Sequence, residues 1–247
     1  MITQTITQVC RSCGSTDIVK NGTNKCGSQQ YHCKTCKVYR VMTPKERHSR
    51  WTKGLVFRLL LERISLRGIE RAVKVGRATI LRWLEAWVKR LPRLSQTLLP
   101  VQGGDILELD ESWSFVGERE EERWLWTAMC RRTRQIVAYA IGDRTQVTCR
   151  KLYERLPHGY RDCVCLVDGW EAYQLTFPAR QLTVFPSTRG PTNHIERWYN
   201  TLRQRCPRYT RKTLSFSKSD YYHRLVTHAF IVHYNLALQP PSLTSLP

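Results

Sequence analysis

The chain is short of acid. Its 247 residues hold 20 Asp+Glu against 40 Lys+Arg, a formal net charge of +20. The excess is spread along the chain and points to nucleic acid as the partner, with a ribosomal or merely adhesive protein as the plainer alternative. It also lacks any run of about 18 apolar residues, so no membrane span is expected. The first ten residues have neither a charged start nor an apolar stretch, so no signal peptide is expected. Hydrophobic residues still make up 41%. That is enough for a packed core and excludes a disordered basic tail. The length suits one large domain, or a medium one with small appendages. Cysteine is not scarce. Ten in a chain expected to be cytoplasmic argue for reduced thiols and metal binding rather than disulfides.

Four of the ten are paired, as Cys10-Arg-Ser-Cys13 and Cys33-Lys-Thr-Cys36, with 19 residues between the pairs. This is the spacing of a two-knuckle zinc site. Two intervening residues let both thiolates of a pair turn onto one tetrahedral ion. The expected donors are Cys10, Cys13, Cys33 and Cys36, holding one structural Zn²⁺. Cys26 and His32 are spare, and the simpler reading is that both fill space. A finger this short needs the metal for its stability.

From Trp51 to Leu91 the pattern is helical. Leu55, Phe57, Leu59, Leu60 and Ile64 suggest one amphipathic helix. A short helix over Leu66–Val73, a turn containing Gly76 and a second helix from Arg77 give a helix-turn-helix layout. Ile80, Leu81, Leu84 and Val88 would point inward. Arg77, Thr79 and Arg82 would face a DNA major groove; the plainer reading is a helical hairpin with a solvated basic face.

Two prolines and a Gly pair between Leu91 and Gly104 mark a linker. Strands follow: Ile106–Val116, Arg123–Cys130 and Gln135–Ile141, separated by short polar hairpins. Gln146–Leu156 reads as a helix, Cys163–Val167 as a buried central strand, Leu182–Phe185 as a short fifth strand, and Asn193–Arg205 as a helix. The expected fold class is α+β. A zinc knuckle over 1–45 and a helix-turn-helix over 46–92 lead through a linker, 93–104, into a ribonuclease-H-like mixed α/β catalytic domain over 105–239, with a tail at 240–247.

Three carboxylates stand in telling places. Asp110 ends Asp105-Ile-Leu-Glu-Leu-Asp110, Asp168 ends Cys163-Val-Cys-Leu-Val-Asp168, and Glu196 opens the last helix. If the fourth strand lies beside the first, Asp110 and Asp168 converge and Glu196 approaches from the side. Three such acids can hold two Mg²⁺ (or Mn²⁺) ions for phosphoryl transfer. Each has a plain alternative: a surface charge, a turn aspartate, a helix N-terminal acid. Glu108 shares the parity of Asp110 and would lie near the site without being a ligand. Arg203, seven residues after Glu196, shares its face and could hold a phosphate. Trp198, Tyr199 and Asn200 could touch bases or sugars, with Trp198 equally suited to the core. The basic stretch Arg203–Lys218, with Arg203, Arg211, Lys212 and Lys218, is expected to follow the phosphate backbone.

Taken together, the zinc knuckle, the helix-turn-helix, Leu109-Asp-Glu-Ser-Trp-Ser-Phe-Val-Gly117, Asp168-Gly-Trp170, Ile195-Glu-Arg197 and Arg211-Lys-Thr-Leu-Ser-Phe-Ser-Lys-Ser219 resemble the bacterial "insertion sequence one" transposases. The resemblance covers roughly Cys10 to Asn235. It implies a DDE transposase that cleaves transposon ends and joins their 3′-hydroxyls to target DNA. Asp110, Asp168 and Glu196 would form its triad, followed by Arg203. It also implies double-stranded DNA partners (transposon ends and target), at least a homodimer, and a cytoplasmic, nucleoid-associated place in a prokaryote. Two other readings stay open: a sequence-specific repressor without catalysis, and a structure-selective nuclease or resolvase of the same fold.

Overall fold

Apolar Leu107, Leu109, Trp113 and Phe115 on one parity of 106–116, interrupted by Glu111, and a 3.6-residue period in 193–205 set the frame of the molecule. A computed structural model describes residues 7–42, 48–185, 191–210 and 212–240. The chain divides into two compact units, Met1–Thr52 and Lys53–Pro247.

The first unit is a three-stranded antiparallel sheet of β1 (Ile18–Thr23), β2 (Gln29–Cys33) and β3 (Tyr39–Arg40), in that order. Its buried hydrophobics are Cys10, Cys33 and Met42, with Ile18, Tyr31 and Cys36 packed on them. So small an apolar cluster offers little folding energy by itself. His32 stacks on Tyr39 with ring centroids 4.3 Å apart. Cys26 lies in an exposed turn and is not one of the four clustered cysteines.

The second unit opens with helices. After α1 (Arg50–Leu60) come α2 (Leu66–Val73) and α3 (Arg77–Val88). Ser65 caps α2, its Oγ accepting the Gly68 N–H at 3.0 Å. The turn between α2 and α3 departs from expectation in one detail. Its left-handed residue is Lys74, at φ 54°, while Gly76 sits at φ −62°. Val56, Leu60, Ile69, Ile80 and Leu84 are buried; Ile64 lies beyond α1 and is exposed.

A five-stranded mixed sheet follows. Its strands are β4 (Ile106–Val116), β5 (Glu118–Cys130), β6 (Ile136–Gly142), β7 (Val164–Val167) and β8 (Leu182–Val184). The order is β6-β5-β4-β7-β8. β4, β5 and β6 pair antiparallel, whereas β7 is parallel to both β4 and β8. α4 (Gln146–Glu154) and α5 (Glu171–Gln174) precede α6 (Asn193–Arg205) and α7 (Asp220–Ala237). The architecture is mixed α/β. Among the described residues no helix is long and apolar enough to cross a membrane.

Two differences from the sequence reading have clear causes. β5 begins at Glu118 rather than Arg123, because its charged first five residues are exposed and pair with β4 in a ribbon that leaves the buried part of the sheet. The turn there narrows to Gly117, at φ 80°. The 18-residue α7 was not anticipated at all.

The sheet is covered on both faces. Leu107, Leu109, Trp126 and Val137 pack with Cys149, Leu152 and Tyr173 of α4 and α5. On the other face, Leu125, Met129, Ile136 and Ile141 share one cluster with Trp198 and Leu202 of α6, Phe230 of α7, and Val56, Ile69 and Leu84 of the first three helices. The helices of 53–92 and the sheet therefore belong to one core, not to two domains joined by a free linker. The segment 93–104 is tied down. It holds a 3-10 turn at Leu94–Thr97, and Thr97 is buried. The Thr97 carbonyl accepts Gln135 Nε2 at 2.8 Å.

Asn235 of α7 closes this core. Its Oδ1 accepts the Ile136 N–H at 2.8 Å, and its Nδ2 donates to Ile136 O at 2.9 Å and to Thr97 Oγ1 at 3.0 Å. Asn235→Ala leaves these buried groups unpaired and is expected to cost about 2–4 kcal/mol. A urea titration would show a lower midpoint at unchanged slope.

Candidate active site and metal centre

The register of the central strands sets the site. Glu108 of β4 faces Leu166 of β7. Two residues further along each parallel strand stand Asp110 and Asp168, at neighbouring positions past the end of the β7 pairing. Burial drives the Asp110 carboxyl up to about 8, and the charges of Glu111, Asp168 and Glu196 push it the same way. Asp110 thus lies within electrostatic reach of both Asp168 and Glu196. Asp168 Oδ1 also accepts the Trp170 N–H at 3.1 Å, so it serves the turn as well. Glu196 is exposed, in the first turn of α6, with Thr192 Oγ1 at 3.4 Å. Among the described residues, only four cysteines bring metal-donor atoms within 4.8 Å of one another; the acids are neighbours without converging that far.

Two further carboxylates are buried beside them. Glu108 accepts the backbone N–H groups of His194 (3.1 Å) and Ile195 (3.0 Å) and bonds His194 Nδ1. It thereby caps the helix that carries Glu196. Burial raises its carboxyl, opposed by the Ile195 N–H and Arg131. Glu111 points to the opposite face. Its Oε1 takes Arg144 Nε at 2.9 Å, and its Oε2 takes the Tyr173 hydroxyl at 2.9 Å. Arg144 in turn lies between the rings of Trp124 (4.6 Å) and Trp170 (4.2 Å). Arg144 and Tyr173 escaped the sequence reading, since nothing local marks residues 33 and 62 positions from their partner.

Arg203 reaches back to β4. Its NH2 group donates to Ser112 Oγ at 3.1 Å, two residues from Asp110. Its Nε is buried without a hydrogen-bond partner. Trp198 and Tyr199 are core residues, not nucleic-acid contacts: both are buried, and the Tyr199 hydroxyl donates to Asp110 O at 2.7 Å. Asn200 is exposed.

Besides Arg203, the candidate DNA contacts are Arg77, Thr79 and Arg82 of α3 and the basic residues after α6. Arg77 is exposed, with Nε 2.9 Å from Glu70 Oε2. Arg82 reaches Thr79 Oγ1 at 3.3 Å along α3. Lys212 and Lys218 are exposed, and Arg211 lies outside the described residues.

In the first unit, the sulfurs of Cys10 and Cys36 are 3.6 Å apart, as are those of Cys13 and Cys33. Tetrahedral zinc with bonds of about 2.3 Å sets its sulfurs about 3.8 Å apart. The four thiols therefore fit that ion. The Ser12 N–H, aimed at the Cys10 sulfur, is the largest cause holding that thiol down at about 6.

Two expectations follow. Cys33→Ser should lower metal content by about one zinc per chain, measured by elemental analysis of purified protein. For Asp110, the folded carboxyl lies above its unfolded value of 3.8. Its contribution to stability is present below that value and is lost as pH rises towards about 8. Asp110→Asn should therefore melt higher than the parent in chelator, by roughly 2–4 °C per kcal/mol relieved. The gap should widen from pH 4 to pH 8 and then level off.

Comparison with known proteins identifies the family. The model of a family described as IS1 transposase matches residues 106–236. The insertion element iso-IS1n protein InsB of Shigella dysenteriae is 40% identical over 129 residues, covering 51% of this chain and 93% of that protein. The IS1 protein InsB of Shigella flexneri is 36% identical over 129 residues, covering 51% and 95%. The IS1 4 protein InsB of Escherichia coli K12 is 33% identical over 151 residues, covering 59% and 88%. With the match spanning both strands that carry the aspartates and the helix that carries the glutamate, the chain belongs to the IS1 transposase family.

Proposed function

We propose that the protein is a DNA transposase of ribonuclease-H-like fold that binds the terminal inverted repeats of its element, cleaves DNA strands there and joins the ends to target DNA. The observation that carries this reading is the parallel register that sets Asp110 and Asp168 at neighbouring positions, with Asp110 also sensing the charge of Glu196. The strand order β6-β5-β4-β7-β8, with the fourth strand parallel to the first, supports the fold assignment.

The donor set suits divalent metal. Carboxylate oxygens are the hard ligands that Mg²⁺ and Mn²⁺ take. Asp110, pushed up by burial and then by its acidic neighbours, is relieved by a cation. Asp110, Asp168 and Glu196 would hold two such ions, which supply an activated attacking oxygen and a stabilised leaving oxygen. The rest falls to the chain's own side chains. Arg203 offers its unpaired Nε to a phosphoryl oxygen beside Ser112. Tyr199 fixes α6 to β4 through the Asp110 carbonyl. Glu108 holds the N-terminus of the same helix.

DNA capture would use other parts. α2 and α3 would act as a helix-turn-helix, with Arg77, Thr79 and Arg82 at the major groove. Arg77 would exchange Glu70 for DNA. Lys212, Lys218 and Arg211 would follow phosphates, giving binding that weakens steeply with salt. The four-cysteine unit would hold one structural zinc. Bringing two ends together requires at least two copies of the chain.

The test is Asp168→Asn, assayed with labelled end fragments and a plasmid target in Mg²⁺. Joined product should vanish while affinity for the ends stays within about twofold, because the change leaves the phosphate-contacting cations intact. Joining that survives would refute the triad. Wild-type protein that binds but never cuts would favour a repressor, and cutting without joining would favour a nuclease.

A further inference from the structure

A cleft of about 580 Å³ opens between the α2–α3 pair and the segment that leads from α6 to α7. Its volume falls in the range of small-ligand sites. The lining divides by chemistry. Leu60, Leu66 and Leu81 form an apolar wall, Phe216 and Tyr222 supply aromatic rings, and cations sit at Arg67, Arg77, Arg208 and Lys218. Among the described residues no Asp or Glu lines it, and the nearest carboxylates are already engaged at its edge, Glu70 by Arg77 and Glu85 by the Tyr222 hydroxyl. At the mouth, Leu214 is 97% exposed, an apolar side chain with nothing covering it.

Arg208 is the informative member. Its NH1 group donates to Ser217 Oγ at 3.0 Å, and among the described residues no carboxylate pairs with it. Burial pushes its guanidinium below the ordinary range, and no acid offsets that. A largely enclosed cation without a counter-charge is costly. The wall that holds it is fixed. Ser217 is buried, its carbonyl accepts the Gly117 N–H at 2.7 Å, and its hydroxyl bonds His223 Nδ1 at 2.8 Å. The nearest acid on α7, Asp220, is already held by Arg123 and Arg224. The cleft is thus built for an anion that also has a flat apolar part.

We propose that this cleft takes one unstacked nucleotide of the DNA on which the protein acts, its phosphate against Arg208 and the rim cations and its base against Phe216 and Tyr222. The assignment rests on the reading of the protein as a DNA-processing enzyme. Extruding a base costs a few kcal/mol, and an aromatic-lined pocket returns about 1–3 kcal/mol through stacking. An already unpaired nucleotide avoids most of that cost, so it should bind better than a paired one.

The test uses three DNA probes: a blunt duplex, the same duplex with one unpaired adenosine, and that duplex with the unpaired position lacking its base. Wild-type protein should bind the adenosine probe about tenfold more tightly than either of the others. Ser215→Trp fills the cleft and keeps all four cations; it should erase the preference while blunt-duplex affinity stays within about twofold. Arg208→Gln should weaken the adenosine probe most. Equal binding of all three probes by wild-type protein would overturn the assignment, as would a preference that survives Ser215→Trp. Tight binding of the base-less probe would show a phosphate site alone and also overturn it. Strand joining measured in parallel separates the two claims: a preference without joining keeps the cleft and removes the catalysis, and joining without a preference does the reverse.

Discussion

Glu108 is the joint on which the site depends. It sits fully buried in the central strand, yet its carboxylate faces the first turn of α6, where helical N–H groups have no partners of their own. A carboxylate there meets the positive end of the helix dipole, an interaction on the order of 1–2 kcal/mol when partly buried. Its larger effect is geometric. It fixes the angle and depth at which α6 leaves the sheet, and Glu196 follows one position after Ile195. Tyr199, one turn further on, pins the same helix to the Asp110 carbonyl. The glutamate and the first aspartate are therefore positioned by a shared pair of attachments rather than by a loop.

The centre gathers negative charge inside a chain of opposite character. Glu108, Asp110 and Glu111 fall within four residues of one strand, with Asp168 alongside. Alternation sends Glu108 and Asp110 to one face and Glu111 to the other, and each face answers in its own way. Glu111 is neutralised by Arg144, itself flattened between two tryptophans. Glu108 has Arg131, His194 and the helix N-terminus. Asp110 alone has no cationic side chain bonded to it among the described residues. That asymmetry explains why the charges of Glu111, Asp168 and Glu196 all push its carboxyl upward, on top of its burial.

Much of this was legible in the sequence because its signals were local. Ile106–Val116 alternates apart from Glu111, and Ile195, Trp198, Tyr199 and Leu202 recur at helical spacing, so both elements take the expected bounds. The paired cysteines needed only counting. Other parts were hidden for physical reasons. α7 buries residues around most of its circumference, from Val226 and Phe230 to Ile231 and Val232, so it shows no stripe. The ribbon from Glu118 to Glu122 is exposed and charged, and such a composition reads as a loop. Glu111 resembled any surface acid, because its partners lie far along the chain. The unity of the core was invisible too: Pro92 and Pro100 suggested a break, while Thr97 between them is locked to Gln135 and Asn235.

That shared core has a mechanical meaning. α3 packs into one hydrophobic cluster with β5, β6 and α6, the helix that bears Glu196, with no slack tether between them. Such interiors resist compression and shear much as a crystal does. A duplex gripped by α3 would therefore be held at a constant offset from the acids, like work clamped in the jaws of a caliper. The spacing between α3 and the acids is a dimension of the body itself, and only repacking of the interior could alter it.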